Sequence, residues 1–250
     1  MSAVSREALR NIFALAVLLL ASWQLLYWAI GEIAMRSPAE TVWFIAKLMS
    51  TNSFWPHLAE TAKAFVLALL LAVLIGLSVG LGLGVNRFAS DVLEPMLVAL
   101  YSIPKITLYP ILLLIFGLGI SAKVAFGTIH GVVPIAIFTV HGVRNVRPVF
   151  LKTARTMHLG VFEMVLRVLL PAAMPEIFAG IRIGFALTLI GTLLGEMFAS
   201  QRGLGFLLMN AIGLHNIDLI MSLTCLLTLF AGAVSSVLLC IGRRMETRLS

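Results

Sequence analysis

The stretch AFVLALLLAVLIGLSVGLGLG, residues 64–84, decides the fold class of this chain. It runs for 21 residues without one charged side chain. An α-helix rises about 1.5 Å per residue, so a stretch of this length crosses the roughly 30 Å hydrocarbon core of a bilayer. Residues 64–84 are therefore predicted to form a transmembrane helix.

Five further stretches carry few or no charges and are long enough to cross a bilayer. The whole chain is 60% hydrophobic and 12% charged, with a mean hydropathy of +1.06, whereas soluble domains carry about 25% charged residues. We therefore expect an all-α membrane protein with six transmembrane helices in a single domain over residues 1–250. A soluble enzyme, a disordered tail and a secreted disulfide scaffold are excluded. The five further spans are residues 11–30, 95–120, 124–143, 177–200 and 219–242.

The distribution of basic residues predicts the orientation of the six spans. The formal net charge of +7 suits a membrane surface here, because the basic residues cluster in loops on one side, and no nucleic-acid partner is predicted. That side carries eleven lysines and arginines and the other five, which predicts that both termini are cytoplasmic. The eleven are Arg6, Arg10, Arg87, Arg144, Arg147, Lys152, Arg155, Arg167, Arg243, Arg244 and Arg248, and the five are Arg36, Lys47, Lys63, Lys123 and Arg202.

The third span contains Pro104 and Pro110 with Lys105 between them. A straight helix would lose backbone hydrogen bonds at these prolines, so a kinked or broken helix is expected, lining the protein interior or a water-filled pathway. The alternative is that Pro104 only begins the span and Lys105 reaches for the interface. On the first interpretation Tyr101, Ser102 and Lys105 are candidate pathway residues.

Two further ionisable residues, Arg182 and Glu196, lie in the fifth span. They are fourteen residues apart, about 21 Å along a helix, so they cannot pair with each other. An ionisable group inside a span is a functional hypothesis by default, and Glu196 is expected to cap the outer end of a pathway or to organise the neighbouring loop at Arg202. The alternative is an interfacial carboxylate with a structural role.

Glycines recur at four-residue spacing in the second span, at Gly76, Gly80 and Gly84. This spacing places them on one helical face, where they allow the backbone of another helix to approach closely. The pattern indicates a tightly packed and movable bundle, or simply the ordinary packing of membrane helices.

The segment RNVRPVFLKTARTMHLGVFEMVLRVLLPAAMP, residues 144–175, is too polar to span the membrane. Pro148 and Pro171, with Gly160 between them, predict two short helices that meet at a turn. An amphipathic helix here suits docking into a groove of a soluble partner, or adsorption to anionic lipid headgroups. Its apolar face consists of Phe150, Ala154, Met157 and Val161, with Lys152 and Arg155 on the other face.

This segment resembles the cytoplasmic loop of the inner-membrane permease subunits of binding-protein-dependent ABC importers. The family signature reads Glu-Ala-Ala, three residues, Gly, nine residues and Ile-x-Leu-Pro, and its spacing is kept here without insertion. Lys152 stands at the acidic position and His158 at the glycine position. The signature positions fall on Lys152, Thr153, Ala154, His158, Val168, Leu170 and Pro171.

The resemblance extends over other motifs of the chain. They are SIPKITLYP at 102–110, FGLG at 116–119, HGVRNV at 141–146 and RGLGFLL at 202–208. These motifs are similar to those of the branch that imports sulfonates, taurine, nitrate or thiamine precursors.

The resemblance implies the type I ABC importer permease fold and the translocation pathway for a small, anionic solute. A periplasmic binding protein would deliver the solute, and two copies of a cytoplasmic ATPase, which use ATP and Mg²⁺, would drive a homodimer of this chain. The protein would lie in the bacterial inner membrane, in contact with lipid, with residues 144–176 as the coupling loop. ATPase-coupling roles are implied for Leu151, Lys152, Thr153, Ala154, Arg155, Met157, His158, Leu159 and Gly160.

No catalytic, cofactor-binding or metal-binding residue is predicted on this chain. It contains no Gly-Lys dipeptide and hence no phosphate-binding loop of the GxxxxGK[ST] type, so it is not expected to be an enzyme. The five histidines show no paired ligand spacing such as HExxH.

Two other classes of function are open to a chain of this kind. One is a membrane scaffold or assembly subunit that transports nothing. The other is an ion-coupled secondary transporter, which the absence of an evident repeat between the two halves makes the weaker alternative.

Overall fold

A computed structural model describes residues 3–249, in which all regular secondary structure is helical. A 3₁₀ turn at Lys105–Leu108 and a π-helical turn at Val165–Leu169 interrupt the α-helices. The α-helices are α1 (Ala3–Ile30), α2 (Pro38–Met49), α3 (Phe54–Val85), α4 (Arg87–Ser102), α5 (Tyr109–Phe116), α6 (Ile120–Arg144), α7 (Pro148–Thr156), α8 (Val161–Met164), α9 (Leu170–Ala199), α10 (Leu204–Gly213) and α11 (Ile217–Leu249).

Five helical stretches among the described residues are long and apolar enough to cross a membrane. The bent pair formed by α4 and α5 makes a sixth if it counts as one span. The all-α fold with six spans is therefore confirmed in this form. The five stretches are Arg10–Ile30, Phe54–Val85, Ile120–Arg144, Phe162–Phe198 and Ile217–Arg243.

The third span is broken, as one of the two interpretations of its prolines required. Helix α4 ends at Ser102, and the two arms of the pair meet at 87°. Pro104 disfavours the helical conformation at the residue before it, and Ile103 is extended, with φ −65° and ψ 133°. The predicted bounds of 95–120 are wrong, because α4 begins at Arg87 and α5 ends at Phe116.

The chain forms two compact units. The smaller comprises residues 3–55 and 207–229. Within it, Ser37 caps α2: the Glu40 backbone N–H donates to the Ser37 hydroxyl, and the Glu40 carboxylate accepts from the Ser37 backbone N–H at 3.0 Å. The bonds from Ser37 lower the pKa of Glu40, and Arg36 forms an ion pair with Asp218.

The larger unit comprises residues 56–206 and 230–249 and is built around α6. Two-thirds of the most apolar 18-residue stretch of α6 is buried. The glycines of α3 face α6: a Cβ added at Gly76 would come within 2.8 Å of the Ile135 side chain, and one added at Gly84 equally close to Val143. These glycines therefore form a helix contact, as their spacing indicated.

A second glycine contact joins α6 to α9. A Cβ added at Gly127 would lie 2.5 Å from the Thr192 hydroxyl, and one added at Gly191 would lie 2.8 Å from the His130 ring. Each helix thus places a glycine opposite a larger side chain of the other helix, so the two backbones approach closely along much of their length. Helices α3, α6 and α9 are therefore the packed centre of this unit.

Candidate functional site

The loop between the fourth and fifth spans begins with α7, which has Pro148 as its first residue, where a missing N–H costs nothing. The helix ends in a left-handed residue, His158, with φ 51°. The Leu159 N–H then donates to the Ala154 carbonyl oxygen at 3.2 Å and closes the helix end. The signature position at which this chain departs from glycine therefore has the backbone conformation that glycine adopts most easily.

His158 gives a direct test of this helix end. A β-branched side chain is poorly tolerated at positive φ, so we expect His158→Val to lower the free energy of unfolding by about 1–2 kcal/mol. His158→Gly should raise it, by up to about 1 kcal/mol. Thermal unfolding of the purified variants measures both changes. Equal stability of the two variants would contradict the assignment, and Thr153→Val on exposed α7 surface serves as the control.

The second helix of the loop does not end at Pro171, and the predicted second short helix is wrong in this respect. Residues 162–198 form one continuous helical stretch that contains Pro171. Pro171 has no N–H to donate, and the chain passes through the π-helical turn just before it, where the Leu170 N–H donates to the Val165 carbonyl. This turn absorbs the missing bond, so the loop runs without interruption into the fifth span.

Between α7 and the start of α9 lies an open cleft of about 610 Å³. On the α7 side, Ala154 is buried, while Phe150 and Met157 are 46% and 67% exposed at the rim. Three of the four side chains predicted to form the apolar face therefore border this cleft. The opposite wall consists of Arg167, Val168, Pro171, Ala172 and Pro175.

Of the other predicted coupling residues, Thr153 and Leu159 line this cleft. Leu151 packs against the apolar cluster that contains Val143 and Leu169. Leu159 is half-buried and lines the cleft. The side chains of Arg155 and Val161 lie outside the part of the chain that the structure describes. The remaining members, Lys152, Thr153, His158 and Gly160, are exposed.

At the break in the third span, the three predicted pathway residues lie close together. Tyr101 and Ser102 are exposed, and Lys105 is half-buried. The Lys105 ammonium donates to the Tyr101 carbonyl oxygen at 3.1 Å and lies 5.0 Å from the centre of the Tyr101 ring. Lys105 thus turns back over α4 instead of reaching an acidic partner.

Glu196 lies in a different environment, near the opposite end of α9 from the cleft. Its side chain is 0% exposed. The Thr61 hydroxyl lies 2.8 Å from Oε2 and donates to the carboxylate, and the Gly205 N–H donates to Oε2 at 3.0 Å. Thr61 in turn accepts from the Leu204 N–H at 2.7 Å. The carboxylate therefore fastens α9 to α3 and to the start of α10.

A buried lysine completes this polar cluster. The Lys123 side chain is 2% exposed, and its Nζ lies 3.9 Å from Glu196 Oε1 and 3.2 Å from Glu60 Oε1. It also donates to the Arg202 carbonyl oxygen at 2.8 Å. Gly203, with φ +128°, presses against the Glu196 carboxyl group, where a side chain would not fit. Residues 202–205 thus form a turn wrapped around Glu196.

The sequence did not reveal Thr61, Lys123 or His57 as members of this cluster. Lys123 was counted with the cations of an outer loop, which is wrong, because it lies within α6 with its ammonium directed inward. His57 accepts from the Gly203 N–H at 3.1 Å. The feature of the sequence that could have predicted this cluster is the motif RGLG at residues 202–205. Glycines in such a turn allow another group to lie close to the backbone.

The described residues contain no group of three or more His, Cys, Asp or Glu side chains that could hold a metal ion. Residues 72–250 match the family described as "Binding-protein-dependent transport system inner membrane component". The chain belongs to this family. It is thus a multi-pass permease subunit of the inner membrane, as the resemblance implied.

Individual relatives agree with this family. The chain is 33% identical to the aliphatic sulfonates transport permease protein SsuC of Escherichia coli, over 79% of this chain and 76% of that one. It is 35% identical to the riboflavin transport system permease protein RibX of Chloroflexus aurantiacus, over 82% and 77%. The taurine transport system permease protein TauC of Escherichia coli is 26% identical, over 83% and 78%.

Among solved structures, a chain of the MetNI methionine ABC transporter in an inward-facing conformation has the same fold. The TM-score is 0.68 at 21% identity, over 78% of this permease and 99% of that chain. Permeases of this family are not enzymes themselves. They belong to ABC importers in which an ATPase uses ATP and Mg²⁺ and a binding protein takes part.

Proposed function

We propose that this permease imports a small anionic solute of the sulfonate, taurine, nitrate or thiamine-precursor kind. The relatives named for aliphatic sulfonates and taurine support this class of solute. Two basic side chains, Lys105 and Arg182, in the apolar spans 87–116 and 162–198 support it independently, since an ionisable group in a span marks a solute path.

The assembly that we propose is a homodimer of this chain, with each copy acting as one permease domain. Two ATPase subunits bind at the cytoplasmic face and a periplasmic binding protein at the other. The excess of basic residues on one side of the membrane supports cytoplasmic termini.

The coupling contact is proposed for residues 151–160 and rests on one observation. Phe150 of α7 and Met157, the residue after α7, expose apolar side chains beside the cleft. Arg147 and Arg167 make the rim of this cleft basic. Exposed apolar groups with a charged rim are typical of a docking surface. ATP binding would draw the two ATPase subunits together, move α7 and change which side of the bundle is open.

The pathway is proposed to pass Tyr101, Ser102 and Lys105 at the broken span. Glu196 contributes indirectly, because it is fully buried. Its carboxylate organises the turn at residues 202–205, which forms part of the outer end of this unit. We therefore propose that Glu196 has both roles considered for it above: it is a structural carboxylate, and it organises the loop at Arg202.

The experiment that tests the assembly is expression of the permease together with its neighbouring genes. We expect an ATPase to copurify from membranes and its hydrolysis rate to rise when solute-loaded binding protein is added. Repeated purification of the permease alone, with no ATPase, would overturn the proposal in favour of a scaffold or an ion-coupled carrier.

A point variant tests the coupling contact itself. We expect Met157→Asp to reduce ATP hydrolysis stimulated by the binding protein about 5- to 150-fold, because a carboxylate would be buried at an apolar contact without a partner, at a cost of about 1–3 kcal/mol. Val149→Asp is the matched control, since Val149 is 58% exposed on the same helix and does not line the cleft. Equal rates for the two variants would place the contact elsewhere.

A further inference from the structure

Arg182 lies near the middle of α9 and has no hydrogen-bond or ion-pair partner among the residues that the structure describes. It comes 12 residues after the first residue of α9 and 17 before the last. These separations are about 18 Å and 26 Å at 1.5 Å per residue.

Arg182 opens into a cleft of about 550 Å³ that Tyr101 and Ser235 also line. Each of these two residues lies at the middle of its own segment. Tyr101 is 14 residues after Arg87 and 15 before Phe116 in the bent span. Ser235 is 18 residues after Ile217 and 14 before the end of α11. Three separate segments thus bring polar side chains to one cleft.

The charge in this cleft is positive and not neutralised by the protein. No described residue that lines it is acidic. The ammonium of Lys105 lies over the Tyr101 ring, and its partners there, a carbonyl oxygen and an aromatic face, are both neutral. Arg182 also lines a smaller cleft of about 150 Å³, which has no acidic residue among its described lining residues. Arg243, near the cytoplasmic end of α11, lines this smaller cleft as well.

We propose that Arg182 binds the oxyanion group of the imported solute in this cleft, with the Ser235 hydroxyl as a second donor. The inference rests on the proposed function, because it requires the cleft to be part of the solute path. A guanidinium presents two parallel N–H groups that match a sulfonate or carboxylate, and it stays charged at any depth. Lys105 adds positive potential from the side of Tyr101.

The remaining features of the cleft fit a transient occupant. The Ser235 hydroxyl has no hydrogen-bond partner within residues 3–249, so it is available to a ligand. The cleft is open on one side, and a single arginine with one hydroxyl holds an anion less firmly than an enclosed cage of donors does. A site on a transport path has to release its ligand as readily as it takes it up.

Thiol labelling tests the site without requiring transport. Cys225 and Cys240 are replaced by serine, and Ser235→Cys is introduced into the full-length chain in membrane vesicles. We compare labelling by 2-sulfonatoethyl methanethiosulfonate, an anion, with labelling by its trimethylammonium analogue. Arg182→Gln should lower the anion-to-cation rate ratio at least tenfold, while Arg182→Lys should keep most of it. An unchanged ratio, or a thiol that neither reagent reaches, would overturn the proposal.

Transport by the assembled importer in proteoliposomes supplies the second test. For whichever of ethanesulfonate, taurine and nitrate the wild type imports, Arg182→Gln should lower the uptake rate at least tenfold and Arg182→Lys should give an intermediate rate. The thermal stability of Arg182→Gln should match that of the control Arg10→Gln, which alters an exposed arginine of α1. Wild-type uptake by Arg182→Gln would overturn the site. If the wild type imports none of the three anions, the proposed solute class fails, and the labelling ratio still decides the role of Arg182.

Discussion

Replacement of Glu196 by alanine is expected to lower the free energy of unfolding by about 3–5 kcal/mol, because it weakens the pairing of a buried lysine and leaves buried donors without an acceptor. The Lys123 ammonium would lose one of its two carboxylates, and the Gly205 N–H would lose its acceptor. For a chain of this size, such a change lowers the thermal midpoint by about 6–20 °C. Thermal unfolding in detergent, followed by tryptophan fluorescence, measures the shift.

Two controls separate this effect from the general cost of removing a carboxylate. Glu176→Gln alters an exposed glutamate of the same helix and should leave the midpoint within about 2 °C. Lys123→Met added to Glu196→Leu should restore part of the loss, since it removes a buried ammonium that only Glu60 would then pair. If Glu196→Ala were as stable as Glu176→Gln, the buried cluster would not stabilise the turn at residues 202–205.

Replacement of Gly80 by valine is expected to cost at least about 3 kcal/mol and to abolish folded protein in the membrane. A Cβ at Gly80 would lie 2.8 Å from the Ala136 carbonyl oxygen, a backbone atom that cannot turn aside, and would also overlap Thr139. Helices α3 and α6 would have to move apart along their whole contact. The yield of monodisperse protein from membranes, measured by size-exclusion chromatography, reports the effect.

Gly82→Val is the matched control for this substitution. Gly82 lies on the same helix, and a Cβ there meets nothing within 4 Å. Both variants place a β-branched residue in α3, so the difference between them isolates the helix contact. A normal yield of Gly80→Val would show that α3 is not held against α6 as described.

The spans and the break in the third span could be predicted because their causes are local. A run of apolar residues has no other low-energy environment than a bilayer or a core. Pro104 alone restricts Ile103, whatever surrounds it. The bounds of that span were wrong because Pro95 was taken as its beginning, whereas the structure places it inside α4, where neighbouring groups compensate for its missing N–H.

The buried cluster could be predicted only in part, because it depends on contacts between distant parts of the chain. Glu196 was recognised as an ionisable group in a span, but its partner Thr61 is 135 positions away. A threonine in an apolar helix gives no sign in sequence of which acceptor it faces. Lys123 looked like a loop cation for the same reason, since its burial depends on Glu60 and the turn at residues 202–205.

Helix α8, the π-helical turn and α9 follow one another without a gap and form one helical segment over residues 161–199. Its length is about 58 Å at 1.5 Å per residue. One end of this segment lines the α7 cleft, and Arg182 lies between the two ends. Near the other end, Glu196 accepts a hydrogen bond from the turn at residues 202–205. A tilt of about 5° about either end displaces the opposite end by about 5 Å. A displacement at the loop end of this segment is therefore expected to move Glu196 and the turn at residues 202–205, to which Glu196 is hydrogen-bonded.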